Sequence, residues 1–196
     1  MAGVNGQDDA VRAMSPATGP LPTGPGWGYE MSWPGTRLFI DVAGSHVRVL
    51  DQDRDVTRRW PELVSMCTDI DDALIEGYLI EVDAGAGEAE ADAPVAFVCS
   101  DLLRLYGVNL EARPYAQRRG SLARLAQTHP LLTLSPVFDD AQATAAAARE
   151  HGLNGVVAKR LDSPYRQGIR SPDWVRYSFT TADPDPAPKQ TREGGT

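Results

Sequence analysis

The sequence predicts an α+β protein, with mainly antiparallel sheets and a few flanking helices. Three observations support this fold class: short apolar runs with strand-like patterning recur along the chain, turn signals separate several of them, and only three stretches have a helical pattern. The length of 196 residues suits one domain with a substantial core.

The first half of the predicted fold contains a hairpin, a helix and a strand. Residues 36–50, TRLFIDVAGSHVRVL, read as two short strands around the turn Ala43-Gly44-Ser45. Residues 61–70, PELVSMCTDI, begin with a proline, which is favoured in a first helical turn, and predict a short helix. Residues 73–83, ALIEGYLIEVD, predict a strand that contains Gly77.

The middle of the chain predicts a loop, a strand and a second helix. Residues 84–93, AGAGEAEADA, read as an acidic loop, and residues 94–103, PVAFVCSDLL, as a buried strand. Residues 115–129, YAQRRGSLARLAQTH, place leucines on a helical period, although Gly120 weakens the first turn.

The last predicted elements are a helix and two strands. Residues 139–152, DDAQATAAAAREHG, predict a helix that one of the two leading aspartates caps and that Gly152 ends. Residues 154–161, NGVVAKRL, and 174–179, WVRYSF, predict strands on either side of a turn-rich stretch.

Composition sets the expected boundaries and location. We expect a disordered leader over 1–25, a folded domain over 26–180 and a disordered tail over 181–196, because both ends are rich in Gly and Pro and lack periodicity. No secretory signal and no run of about 18 apolar residues is visible, so the expected location is the cytoplasm, without membrane contact. Cys67 and Cys99 stand in apolar runs and are predicted to be buried and inert.

The charge pattern restricts the possible chemistry. The net charge of −8 argues against non-specific coating of nucleic acid, which needs a basic surface. Arginine occurs 17 times and lysine only twice, and since Lys189 lies in the polar tail, Lys159 is the only lysine expected in the folded body. The three histidines are too scattered to predict a metal site.

Five stretches carry a family resemblance. They read GYEMSWPGTR, VTRRWPEL, LIEGYLIEVD, SDLLRLYGVNLEARPYAQRRGSLARL and HGLNGVVAKRLDSPYRQGIRSPDWVRY, and they fall within about residues 14–178. In this order they resemble the adenylation domain of ATP-dependent DNA ligases, an ATP-grasp-like nucleotidyltransferase fold, and especially that of the bacterial ligases of non-homologous end joining. In that family a lysine attacks the α-phosphate of ATP and becomes adenylated, and the AMP then passes to a DNA 5′-phosphate.

The resemblance also shows what this chain has replaced. The family's Lys-x-Asp-Gly motif reads SWPG here, so Ser32 stands at the position of the nucleophile, and a serine hydroxyl lacks the amine that a phosphoramidate bond needs. Tyr78 and Asn154 stand at the positions of two acids that contact ribose or metal, and Ser100 stands where an aromatic side chain stacks on adenine. We therefore expect no intact catalytic residue and no metal ligand.

Four candidate nucleotide-binding residues remain. The resemblance aligns Glu30 with a contact to the adenine amine and Arg37 with the arginine that closes the motif, although these two could also form an ordinary surface pair. Lys159 matches a family lysine, and Arg176 keeps a positive charge where the family has a lysine. Glu76 is either a substitute acid or, as is usual for an acid near a strand end, solvated.

These departures predict a DNA ligase-family adenylation domain, linked to DNA repair and recombination, that is catalytically inactive. ATP and Mg²⁺ are expected as cofactors only because the family resemblance implies them. Whether the domain binds DNA is left undecided, because the chain is acidic and no OB-fold domain is expected after the last strand. Two alternatives also remain: a scaffold or regulatory partner of a DNA-repair complex, and a weak nucleotide sensor.

Overall fold

A computed structural model of the protein describes residues 11–81 and 95–180. Within these ranges the chain forms two β-sheets and three α-helices. Most strand pairs are antiparallel, as the sequence predicted. Among the described residues, no helix combines the length and the apolar character needed to cross a membrane.

The first sheet joins the two ends of the described chain. Its four strands are β1 (Ser15–Thr18), β2 (Trp27–Met31), β10 (Gly155–Arg160) and β11 (Arg170–Ser178). Their order is β1–β11–β10–β2, in which β10 pairs antiparallel with both neighbours and β1 runs parallel to β11. The sheet therefore brings segments more than 100 residues apart in sequence side by side.

The second sheet is built mainly from consecutive strands. Its members are β3 (Thr36–Ala43), β4 (His46–Asp51), β5 (Arg54–Asp55), β6 (Asp72–Glu81), β7 (Val95–Leu105), β8 (Val108–Asn109) and β9 (Thr133–Leu134). The order is β5–β4–β3–β6–β7–β8, and β9 adds a short parallel pairing to β7. The predicted hairpin around Gly44 is the β3–β4 turn, where Gly44 has a φ of +58°.

The three helices lie where the sequence predicted them. They are α1 (Pro61–Met66), α2 (Tyr115–Thr128) and α3 (Ala141–Glu150), and a short 3₁₀ turn, Thr57–Arg59, precedes α1. Asp140 is the cap of α3, because its Oδ1 accepts hydrogen bonds from the backbone N–H groups of Gln142 at 2.8 Å and Ala143 at 2.9 Å.

Side-chain packing arranges the elements in four layers. One face of the second sheet packs against α1 and α2, and Phe97 and the two cysteines are buried there. Its other face packs against the first sheet, with Phe39 and Trp174 in the shared core. The far face of the first sheet lies under α3. The space between the two sheets is therefore where side chains from both can converge.

The predicted leader needs correction. Val11 and Met14 are buried in the core between the sheets, and β1 pairs with β11, so the prediction of disorder over 1–25 is wrong for residues 11–25. The physical reason is a non-local strand pairing that leaves no periodic signal in so short a segment. Residues 1–10, the predicted acidic loop over 84–93 and the predicted tail over 181–196 lie outside the described residues.

Candidate functional site

A small hollow between the two sheets brings four of the predicted site residues together. Glu30, Arg37, Tyr78 and Lys159 all line it. The remaining lining residues are Pro16, Met31, Val157 and Trp174. The hollow has a volume of about 10 Å³, which is room for about one water molecule.

Strand register explains how the first sheet builds its half of the hollow. Val157 on β10 lies opposite Glu30 on β2 and Arg176 on β11, while Lys159 lies opposite Trp174. Because residues two apart in a strand share a face, these side chains all belong to the face that meets the second sheet. Arg176 shares this face but does not line the hollow.

Lys159 and Glu30 form a buried ion pair inside the hollow. Lys159 Nζ lies 2.6 Å from Glu30 Oε1, and the Tyr115 hydroxyl donates a hydrogen bond of 2.6 Å to the same oxygen. The ammonium also lies 4.3 Å from the ring centroid of Trp174 and 4.9 Å from that of Tyr115. Glu30 is 2% exposed and Lys159 4% exposed, so the pair neutralises its own charge away from solvent.

The charge state of Glu30 follows from this surrounding. Burial by itself raises the pKa of Glu30, but the positive charges of Lys159 and Arg119 and hydrogen bonds from Lys159 and Ser135 outweigh burial, so the pKa lies below its usual value. Glu30 is therefore an ionised partner for Lys159 at neutral pH.

Arg37 and Glu76 form a second ion pair, within the second sheet. Arg37 also donates a hydrogen bond of 2.7 Å to the carbonyl of Met14, and its guanidinium lies 5.8 Å from the Trp174 ring centroid. Glu76 has no exposure, so the expectation of a solvated acid is wrong, and so is the alternative that Arg37 forms a surface pair with Glu30. Arg37 thus links the two sheets through its contacts with Glu76, Met14 and Trp174, while its Nε and Glu76 Oε2 are buried without a hydrogen-bond partner among the described residues.

Tyr78 stands at the rim, directly opposite Arg37 in the β3–β6 ladder. It lines the hollow at one of the two positions where the family resemblance expects an acid. A phenol supplies no carboxylate oxygen for a hard cation, so this position offers a bulky wall instead of a metal ligand.

Ser32 and Asn154 do not line the hollow. The backbone N–H of Ser32 donates a hydrogen bond of 2.9 Å to the carbonyl of Gly155, and the carbonyl of Asn154 accepts one of 2.9 Å from Phe179. The Asn154 side chain is exposed. Next to Ser32, Trp33 donates to Ser135 Oγ at 2.9 Å instead of filling the hollow.

The residues present do not fit ATP with a divalent metal. Each acid beside the hollow, Glu30 and Glu76, already holds a cation, and no group of three or more His, Cys, Asp or Glu side chains in the described ranges could hold a metal ion. Ser100, at the stacking position, is buried and its hydroxyl donates to the Glu76 carbonyl at 3.4 Å. Sites for small organic ligands usually occupy roughly 300–1,000 Å³, far more than this hollow.

Two important residues were missed in the sequence. Tyr115 begins α2 and reaches Glu30 across the fold, and Trp174 forms the aromatic wall shared by Lys159 and Arg37. No local pattern marks either residue as part of a site. Their position within stretches that carry the family resemblance is the one sequence feature that could have indicated them.

Comparison with known proteins agrees with this architecture. Residues 81–177 match the family described as ATP dependent DNA ligase domain. The chain is 32% identical over 160 residues to the multifunctional non-homologous end joining DNA repair protein LigD of Mycobacterium tuberculosis, a match that covers 76% of this chain and 21% of LigD. It is also 30% identical over 169 residues to a probable DNA ligase of Streptomyces avermitilis, covering 72% of this chain and 33% of that protein.

Solved structures show the same relationship. The crystal structure of the ligase domain of M. tuberculosis LigD matches with a TM-score of 0.78 and 30% identity, covering 87% of this chain and 59% of that one. A mycobacterial DNA ligase D complexed with ATP and MES matches with a TM-score of 0.79 and 29% identity, covering 88% and 61%. The chain spans about a fifth of the LigD proteins it matches. It carries an adenylation domain of the ATP-dependent DNA ligase family.

Proposed function

We propose that this domain does not form a covalent adenylate and acts in DNA repair as a non-catalytic member of the ligase family. One observation carries the proposal. Lys159, the only lysine among the described residues, is held by Glu30 within a hollow of about 10 Å³.

The chemistry of the family's first step requires a free amine beside the α-phosphate of ATP. Ser32 stands at the position of that amine. Tyr78 and Asn154 stand at the two positions where the family resemblance implies acids. Lys159 is not a replacement, because its amine already contacts Glu30 and two aromatic rings, and the hollow leaves no space for a phosphate.

The link to DNA repair and the mode of action are part of the proposal. The LigD relatives carry end joining and DNA repair in their names, and we transfer that context to this chain as a scaffold or regulatory partner of a repair complex. We place it in the cytoplasm, since its two cysteines are free thiols, as is usual in a reducing compartment.

Incubation with ATP labelled on the α-phosphate, with Mg²⁺ or Mn²⁺, tests the loss of adenylation. We expect no covalent label on the wild-type chain under conditions in which the ligase domain of M. tuberculosis LigD is labelled. The variant Ser32→Lys should also stay unlabelled, because Tyr78 and Asn154 still supply no acid. A covalent adenylate on the wild-type chain would contradict the proposal.

A weak nucleotide sensor is the second candidate, and one observation favours it. Arg176 lies on the face of the hollow and makes no ion pair with another residue of the described ranges, so it could meet a phosphate at the rim. Calorimetric titration with ATP separates the candidates. Heat of ATP binding that is seen with the wild-type chain and lost in Arg176→Gln supports a nucleotide sensor. Absence of binding heat at millimolar ATP rules the sensor out.

A further inference from the structure

A second concave surface lies at the β4–β5 edge of the second sheet. It has a volume of about 600 Å³ and is lined by Val47, Arg48, Asp55, Val56, Thr57, Arg58 and Arg59. We call it the arginine hollow. It involves none of the residues that line the hollow between the sheets.

The arginine hollow is positively charged within an acidic protein. Three of its lining residues are arginines and one, Asp55, is an acid. Arg48 contacts Asp41 at 2.6 Å but leaves 48% of its side chain exposed. Arg58 and Arg59 are exposed and form no ion pair with another residue in the described part of the chain. Their guanidinium groups are therefore available to an anionic partner.

The backbone that presents these arginines is fixed. Asp55 Oδ1 accepts a hydrogen bond of 2.9 Å from the Thr57 N–H, and Thr57 Oγ1 accepts one of 2.9 Å from Val49. Val56 also donates to the Val49 carbonyl at 2.8 Å. The turn is thus tied to β4 at two points and braced internally by Asp55, and Arg59 is held with its guanidinium 5.1 Å from the Trp60 ring centroid. A fixed presentation lowers the entropy lost when a ligand binds.

We propose that the arginine hollow binds an acidic peptide segment of a partner protein. Guanidinium groups bind carboxylates through paired hydrogen bonds, so a Glu- or Asp-rich segment complements this surface. The net charge of −8 opposes a long polyanion such as DNA, whereas a short peptide meets the local field of the arginines. This inference goes beyond the proposed loss of adenylation and does not depend on it.

Fluorescence anisotropy with a labelled glutamate-rich peptide tests the inference. The variant Arg58→Gln/Arg59→Gln should bind at least about tenfold more weakly than the wild-type chain, since it removes two charges from the surface. The matched control Arg12→Gln/Arg124→Gln removes two exposed arginines elsewhere and should bind like wild type. Binding should also weaken between about 50 and 300 mM salt.

Several outcomes would overturn the inference. The first is no binding of the peptide to a wild-type chain with a normal thermal transition, and the second is equal weakening in both double variants. The third is tighter, Arg58- and Arg59-dependent binding of a short single-stranded DNA in the same assay, which would make the surface a nucleic-acid site. A glutamine peptide of the same length should not bind.

Discussion

Replacing Lys159 by methionine tests the buried ion pair of the candidate site. Methionine keeps most of the length and apolar volume of the lysine stem but removes the charge that faces Glu30 at 2.6 Å. Glu30, with 2% exposure, would keep its hydrogen bond from Tyr115 and lose its nearest cation. Removal of one partner from a buried pair typically costs about 3–5 kcal/mol, and we expect a loss of this size in the free energy of unfolding at pH 7.

The pH dependence of the stability provides a second, independent test of the buried ion pair. In the wild-type chain the pKa of Glu30 is lowered despite burial, so its stabilising contribution is present at neutral pH and is lost as the pH falls through that lowered pKa. In Lys159→Met we expect burial to dominate and to raise the pKa of Glu30 above its unfolded value. As the pH falls from 7 towards 5, Glu30 of the variant becomes protonated and no unpaired charge stays buried. The variant's loss of stability relative to the wild-type chain therefore becomes smaller.

Urea denaturation at several pH values measures both effects. Arg160→Gln is the matched control, since Arg160 is the neighbouring cation on the same strand, is exposed, and lies 3.3 Å from Asp162; its loss should change stability by less than about 1 kcal/mol. The double variant Glu30→Gln/Lys159→Met should regain much of the lost stability, because no unpaired charge stays buried. If Lys159→Met costs no more stability than Arg160→Gln, Lys159 is not held in a buried pair with Glu30 and the description of the site is wrong.

Two further predictions concern the motif loop and the thiols. Gly35→Ala should destabilise the fold by about 1–3 kcal/mol more than Gly26→Ala, as measured by urea denaturation. Both glycines have positive φ. A Cβ at Gly35 would overlap the carbonyl oxygen of Leu79, whereas no atom lies within 4 Å of a Cβ at Gly26. Equal losses would refute this account. Burial raises the pKa of Cys67 to about 11 and that of Cys99 to about 12. Neither thiol should therefore react with iodoacetamide at pH 8 in the folded state, and mass spectrometry detects any adduct. Rapid alkylation without unfolding would be inconsistent with the burial of the two thiols.

Local signals in the sequence predicted the hairpin and the helices. A helix such as α3 is specified by neighbours in sequence: an aspartate cap, a run of alanines, and Gly152 with a φ of +67° just after its end. The β3–β4 turn is specified in the same way by Gly44. Such features depend on backbone preferences and short hydrogen bonds, which can be read without knowledge of the rest of the fold.

β1 could not be predicted from such signals. It is four residues long, includes Pro16, and pairs with a strand that begins at Arg170. The residue before β1, Met14, is fully buried and donates its N–H to the Tyr165 hydroxyl at 2.9 Å. These contacts join segments about 150 residues apart, and their formation depends on the tertiary fold alone.

Some of the residues that line the hollow were named from the sequence, but their pairing was not predicted. Glu30, Arg37 and Lys159 were identified through the family resemblance, and all three line the hollow. Their partners depend on the register between distant strands: Lys159 meets Glu30 across the β2–β10 ladder, and Arg37 meets Glu76 across the β3–β6 ladder. A shift of one residue in either register would turn these side chains to the opposite face.

The most direct test of the central claim is the intact mass of the wild-type protein after incubation with ATP and Mg²⁺ or Mn²⁺, followed by peptide mapping of the segments around Ser32 and Lys159. Because Ser32 carries no amine and Lys159 is enclosed with Glu30, we predict that the mass is unchanged and that both peptides are unmodified. A mass increase equal to one AMP, mapped to either residue, would contradict the account.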